Sequence, residues 1–296
     1  MRIGLPKILL QYYKYGILCE TFLKELKIDY IYSDCTNKKI VEDSLKVAQD
    51  EICIPVKLIY GHSLNLKGKC DKILVSRMIS LKPNTITCPR LRILPELVSI
   101  QTEMEVLKLN INIQKYPLFF SFFTFGLKLR KNPISVVLAY YKAFKKYNKE
   151  IQELKEKRER FLKEEKIKIA LIGHSYLIYD KFISLDILGR LKDVNVFVSE
   201  MADEVKELPA TYWSEERELL NAAYYFIDKV DGILLLTSFL CGTGSLINEF
   251  IFSRAKECKV PIMQLIVDEN TTETMVDTRI QAFLNMIWRK KICRVQ

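Results

Sequence analysis

Apolar and polar positions along this chain switch between two repeats, short apolar runs and a spacing of three to four, and the switching predicts its elements. In the first part, "RIGLPK" and "DYIYS" (29–33) read as strands, with helices from about 10 to 26 and from about 37 to 49, and "KILVS" (72–76) as a further strand. After a less regular stretch, Asn132 and Pro133 form a helix start, Asn as N-cap and Pro as first helical residue. Apolar residues then recur at Val137, Tyr140, Phe144, Tyr147, Ile151, Leu154 and Phe161, a narrow stripe broken by Arg158. At 1.5 Å per residue such a helix reaches on the order of 45 to 50 Å, enough to act as a spine whose mixed Lys, Arg and Glu face water.

From residue 167 the alternation resumes. Strands "IKIALIG", "VNVFVS", "GILLLTS" and "PIMQLIV" are separated by helices through "DKFISLDILGRLK" and over about 214–229 and 243–257, and a last helix spans about 273–290. Strands separated by helices pair in parallel through crossovers. The expected class is α/β, with two Rossmann-like parallel-sheet lobes joined by a long charged helix. The expected divisions are 1–118, an N-terminal α/β lobe, 119–166, a connecting helical segment, and 167–296, a C-terminal α/β lobe. No internal repeat of 20 to 50 residues is apparent.

Length and charge add boundaries. The chain has 296 residues, 49% of them apolar, which suits two compact units. Its start lacks a signal-peptide pattern, so a cytoplasmic location is expected. The apolar run "YPLFFSFFTFGL" (116–127) is too short to cross a bilayer and is expected to be buried. The net charge is +10, but basic residues are interspersed with acids, which argues against a nucleic-acid partner.

Eight cysteines without a CxxC pair argue against a disulfide framework or a zinc ribbon. Three share a setting: Cys53 in "CIPVK", Cys88 in "CPRL" and Cys241 in "CGTGS" each precede Pro or Gly and then a helical segment. All three are expected at helix N-termini, where amide N–H groups and the helix dipole would lower a thiol's pKa and prepare it for metal binding or nucleophilic attack. Cys241 follows "GILLLTS" and Cys88 follows the β-rich "TIT", and ligands of open α/β sheets gather beyond the carboxyl ends of strands. If two such lobes face each other, these sulfurs could converge; unrelated loop cysteines are the plainer alternative. Cys19, Cys35, Cys70, Cys258 and Cys293 read as packing or exposed residues.

The segments "IGLPKILLQYYKYG", "TNKKI" with "DEICIPVKLIYGH", "ITCPRL", "IALIGHSYLIYD", "FLCGTGSLINEF" and "VDENTTETMVDTRIQAFLNM" together resemble the small proteins related to 2-hydroxyacyl-CoA dehydratase components and their activases, a group that includes the double-cubane cluster proteins. The resemblance implies an iron-sulfur cluster, 4Fe-4S or double-cubane, held by Cys53, Cys88 and Cys241. It also implies reduction by a separate ATP-dependent activase or reductase protein, with dehydratase-like or reductase chemistry; a second copy of the chain, as a homodimer, or a related subunit is a further partner to test. Three thiolates would leave one iron of a 4Fe-4S cluster open. A non-catalytic electron-transfer or regulatory subunit, or a structural zinc protein, are the alternatives.

Other polar residues are weighed against structural roles. His174, just past a strand, is a second-shell or proton-donor candidate beside Cys241, with Gly242 and Ser245 supporting the same turn. "CGTGS" lacks the Walker ending. His62 is expected to meet helix carbonyls near the end of its helix. Glu51, Lys57 and Arg77 could tune a cluster, and Asp268 and Glu269 read as structural, with Thr272 or Thr274 as a cap.

Overall fold

The computed structural model describes residues 1–295, with side chains described through Lys291; the side chain of Cys293 lies outside the described residues. The chain divides into two units. The first comprises Met1–Glu150 with Thr211–Glu215, the second Ile151–Ala210 with Glu216–Gln296.

In the first unit, β1 (Arg2–Leu5), β2 (Asp29–Tyr32), β3 (Lys72–Ser80) and β4 (Val106–Asn112) form a parallel sheet in the order β2-β1-β3-β4. The expected helix over 10–26 is two helices, α1 (Leu9–Tyr13) and α2 (Gly16–Glu25). Buried Gln11 explains the break: its amide donates to the Leu74 carbonyl at 2.7 Å and accepts from the Ser76 N–H at 2.6 Å, which pins α1 to β3. Helices α3 (Lys38–Val47, capped by Asn37) and α4 (Ile54–Asn65) connect β2 to β3. Short α5 (Pro89–Arg92) and α6 (Leu94–Thr102) lead to β4, a strand the sequence reading missed because Lys108 and Asn110 interrupt its apolar run. The "TIT" before Cys88 is no strand of the sheet; Ile86 forms only an isolated bridge with Trp213.

The aromatic run 116–127 forms α7 (Leu118–Lys128). Phe122 and Phe125 are buried against Phe22, while Phe120 is 48% exposed, so burial is one-sided rather than complete. Helix α8 (Pro133–Lys163) begins as expected, the Asn132 side chain accepting from the Ile134 N–H at 2.9 Å. It continues into the second unit, where Arg158, expected to break its apolar stripe, is itself buried. Its guanidinium donates to the Met201 carbonyl and to Asp203 and lies over the Tyr225 ring, so the long stem fills the stripe and the head is paired.

The second unit repeats the strand order: β5 (Lys168–Gly173), β6 (Asn195–Val198), β7 (Gly232–Ser238) and β8 (Ile262–Val267) lie as β6-β5-β7-β8, all parallel. Every residue of β7 is buried, as befits an inner strand. After β5 come α9 (Ser175–Tyr179) and α10 (Ile187–Arg190), where one continuous helix was expected. Asp180 Oδ1 instead accepts from the Phe182 and Ile183 N–H groups, and Leu185 and Asp186 take φ of 51° and 53°. Such local side-chain bonds compete with helix. Helices α11 (Ser214–Phe226), α12 (Gly242–Glu257) and α13 (Glu273–Val295) complete the chain. Among the described residues, no helix is long and apolar enough to cross a membrane.

Candidate functional site

Each sheet reverses its winding between two inner strands, β1 and β3 in the first unit and β5 and β7 in the second, and crevices open at such points beyond the strands' carboxyl ends. Cys53, Cys88 and Cys241 are the N-cap residues of α4, α5 and α12, as their spacing suggested, and none of these helices has a side-chain cap. All three are partly exposed thiols outside any disulfide.

In the first unit, Thr87 fixes the loop that ends at Cys88. Its N–H donates to the Ile79 carbonyl at 3.0 Å and its hydroxyl to the Met78 carbonyl, both in β3. The segment 211–215 braces the same loop, with the Thr85 and Ser214 hydroxyls 2.6 Å apart. Arg90, in the first turn after Cys88, donates to the Glu51 carbonyl just before Cys53, tying the two cysteine turns together.

Burial pushes the Cys88 thiol up, and the Cys53 and Glu215 charges add to it; the Arg90 and Leu91 N–H groups oppose the rise without overcoming it. This reverses the expectation of a lowered pKa at Cys88. Helix α5 is a single turn, with few aligned peptide dipoles to set against desolvation.

In the second unit the structure gathers a set that the sequence reading found only in part. His174, the N-cap of α9, follows β5; Cys241 follows β7; Glu216 stands in the first turn of α11. One ligand atom from each lies within 4.8 Å of the others. His174 Nε2 is 3.9 Å from Glu216 Oε1, and the two residues are 7% and 2% exposed. Thr243 donates to Glu216 Oε1, and its hydroxyl lies 3.8 Å from Cys241 Sγ. Glu216 Oε2 is buried with no hydrogen-bond partner. Glu216 and Thr243 carry no sequence signal of their own, because an acid in a first helical turn is ordinary and a threonine between two glycines reads as part of a turn.

The turn reaches Cys241 through Leu240, whose φ of 62° is left-handed backbone that a branched side chain adopts at a cost of about 1 kcal/mol or more. Gly244 makes room for the sulfur, since a Cβ there would lie 3.0 Å from Cys241 Sγ, whereas one at Gly242 would meet nothing within 4 Å. Ser245 bonds back to the same turn, its hydroxyl donating to the Cys241 carbonyl at 2.9 Å.

The remaining candidates have structural partners. His62 is fully buried between the Ser33 and Thr36 hydroxyls, at 2.8 and 3.0 Å, rather than on helix carbonyls. Arg77 pairs with Glu96, Glu51 is exposed, and Lys57 is buried in α4. Asp268 accepts from the Asn270 N–H and the Thr271 hydroxyl within its own turn, and Thr272 accepts from the Met275 N–H at 3.4 Å. Glu269 is exposed in that turn.

Comparison with solved structures gives distant matches. The SBP FpvC from Pseudomonas aeruginosa in complex with Mn2+ is 14% identical, with 97% of this chain and 99% of that one covered and a TM-score of 0.33. Its Ni2+ complex is 13% identical over 90% and 86%, with a TM-score of 0.32. Glucosamine-6-phosphate deaminase from Thermotoga maritima is 12% identical over 90% and 76%, with a TM-score of 0.23. No curated protein matches the chain. The model of the family described as the CoA enzyme activase uncharacterised domain (DUF2229) matches residues 2–202, well over half of the sequence, and the chain belongs to this CoA enzyme activase-related family.

Proposed function

We propose that this member of a CoA enzyme activase-related family is an iron-sulfur redox protein, reduced by a separate ATP-dependent activase, in which Cys53, Cys88 and Cys241 are the cluster's thiolate ligands. The supporting observation is their shared setting: three partly exposed thiols outside any disulfide, each the N-cap of a helix without a side-chain cap. Uncapped first-turn N–H groups suit the sulfurs of an anionic cluster, and such hydrogen bonds help to set its potential. The donor chemistry therefore fits the group. When bound, the cluster supplies one-electron chemistry at low potential. The chain's own part is to hold the thiolates and to exclude water around Cys88, whose burial raises the energy of an uncompensated thiolate. A thiolate in that position gains more from iron than a solvated one would.

Anaerobic purification followed by iron, acid-labile sulfide and EPR measurements tests the reading. Cys53→Ala, Cys88→Ala and Cys241→Ala should each lose the cluster signal, and Cys258→Ala, at an exposed position, should keep it. Wild-type iron and sulfide contents in all three variants would overturn the assignment.

A further inference from the structure

We propose that His174, Glu216 and Cys241 form a mixed nitrogen, oxygen and sulfur site for one divalent transition cation of the zinc or ferrous class. The site lies wholly in the second unit and goes beyond the cluster reading, with which it shares only Cys241. An ion and a cluster would compete for that sulfur, so the ion is expected in protein that holds no cluster.

Glu216 is the residue that calls for a ligand. Its carboxylate is 2% exposed, one oxygen accepts from Thr243, and the other has no hydrogen-bond partner. A buried acceptor left unpaired costs about 1–3 kcal/mol, and more when charged. The His174 ring cannot offset this by a direct hydrogen bond to Glu216 Oε1, because Nε2 is 3.9 Å away, beyond hydrogen-bond length. A cation between the imidazole, the carboxylate and the thiol would give that buried carboxylate its missing partner and take a ligand atom from each of the three.

The geometry permits it. Zinc–ligand lengths of about 2.0 to 2.3 Å in a tetrahedron place ligand atoms roughly 3.3 to 3.6 Å apart. The three donors lie within 4.8 Å of one another, so small side-chain rotations close the set. The donor types select the ion: imidazole and thiolate favour zinc, iron or cobalt, whereas calcium and magnesium require oxygen. Thr243 supplies the outer contact that orients a ligating carboxylate, and its hydroxyl also lies beside Cys241 Sγ. Three protein donors leave a fourth position for water or a substrate oxygen, as in zinc sites that do chemistry rather than in closed structural ones.

The test uses the full chain, stripped of metal by a chelator under anaerobic, reducing conditions and titrated with Co2+. The wild type should bind one Co2+ per chain with a thiolate-to-cobalt charge-transfer band, and Zn2+ should displace it. Cys241→Ser should abolish the band. Glu216→Gln and His174→Gln should each weaken binding at least about tenfold, as should Thr243→Val, which leaves all three donors in place. The urea midpoint of each variant, followed by Trp288 fluorescence, shows whether the second unit remains folded. Should a ligand variant fail to fold, Thr243→Val and the wild-type stoichiometry decide. Absence of Co2+ binding in the wild type, or unchanged affinity in the folded variants, overturns the site. Cys53→Ala and Cys88→Ala separate the two readings, because they should lose the cluster while binding Co2+ as the wild type does.

Discussion

A single methyl group at Gly61 tests whether the close approach of α3 to α4, the helix that begins at Cys53, sustains the first unit. A Cβ on Gly61 would lie 2.2 Å from the Ile40 carbonyl oxygen and 2.2 Å from Ser44 Oγ, where ordinary contact begins at 3.4 Å. The carbonyl is backbone, so α3 must retreat by about an ångström, and the bond from the Gly61 N–H to Ser44 Oγ, 3.1 Å long, is lost with it. Overpacking of this kind costs about 1–3 kcal/mol, and the lost bond adds about 1 kcal/mol. The better helix propensity of Ala returns about 1 kcal/mol. Gly61→Ala should therefore destabilise the first unit by about 2 kcal/mol. The two tryptophans make the effect readable, because Trp213 belongs to the first unit and Trp288 to the second. In a Trp288→Phe background, Trp213 fluorescence follows the first unit through urea. With a slope of about 2 kcal/mol per M, the midpoint should fall by about 1 M. Gly16→Ala is the control: the new Cβ would meet only the Tyr12 ring at 3.7 Å and the Gln11 carbonyl at 3.9 Å, and the change should stay within about 0.5 kcal/mol of neutral or stabilise slightly. A Gly61→Ala midpoint within about 0.2 M of the parent would refute the steric argument.

Two further outcomes follow from buried titratable groups. Burial, assisted by the nearby Lys7 charge, lowers His62 from 6.5 to about 3, so below pH 6.5 the folded chain binds fewer protons than the unfolded one. Its contribution is complete above that pH and is lost as pH falls toward 3, at about 1.4 kcal/mol per pH unit. Urea midpoints of the Trp288→Phe protein at pH 7 and 5 should show a loss of about 2 kcal/mol that His62→Gln removes, and an equal slope in that variant contradicts the assignment. Burial also pushes Cys19 up to about 12, so iodoacetamide at pH 8 should label exposed Cys35 and Cys258 first and reach Cys19 only in urea. Mass mapping that finds early Cys19 labelling would show that the first unit's core opens far more readily than its packing implies.

Much of this architecture was legible because inner parallel strands are buried on both faces and read as contiguous apolar runs, as in "IKIALIG" and "GILLLTS". What escaped depended on partners distant in sequence. Strand β4 carries Lys108 toward Glu96 on one side and buries Leu109 and Ile111 on the other, a pattern too mixed to stand out. Arg158 looked like an interruption until Asp203 and the Met201 carbonyl met it. Cys88 was placed correctly as an N-cap, yet the direction of its pKa shift was misjudged, because the balance between dipole and desolvation depends on how deeply the fold buries the sulfur. Glu216 had no local signal: an acid in a first helical turn becomes unusual only once it is buried with an unpaired oxygen.

The two sheets explain why these donors fall where they do. With orders β2-β1-β3-β4 and β6-β5-β7-β8, each unit offers three corresponding stations beyond its inner strands: after the first strand, at the start of the helix preceding the third, and after the third. In the first unit these hold Pro6, Cys53 and Cys88; in the second, His174, the first turn of α11 with Glu216, and Cys241. The correspondence lies in topology alone, since the sequence shows no repeat. It arises because helix N-termini and strand carboxyl ends meet at the point where winding reverses, leaving N–H groups that need acceptors and turns short enough to hold a side chain still. The same stations therefore carry different chemistry in the two units, two thiols in one and a thiol with imidazole and carboxylate in the other. The Co2+ titration reads the stations of the second unit, and Cys53→Ala should be silent in it because its station belongs to the other unit.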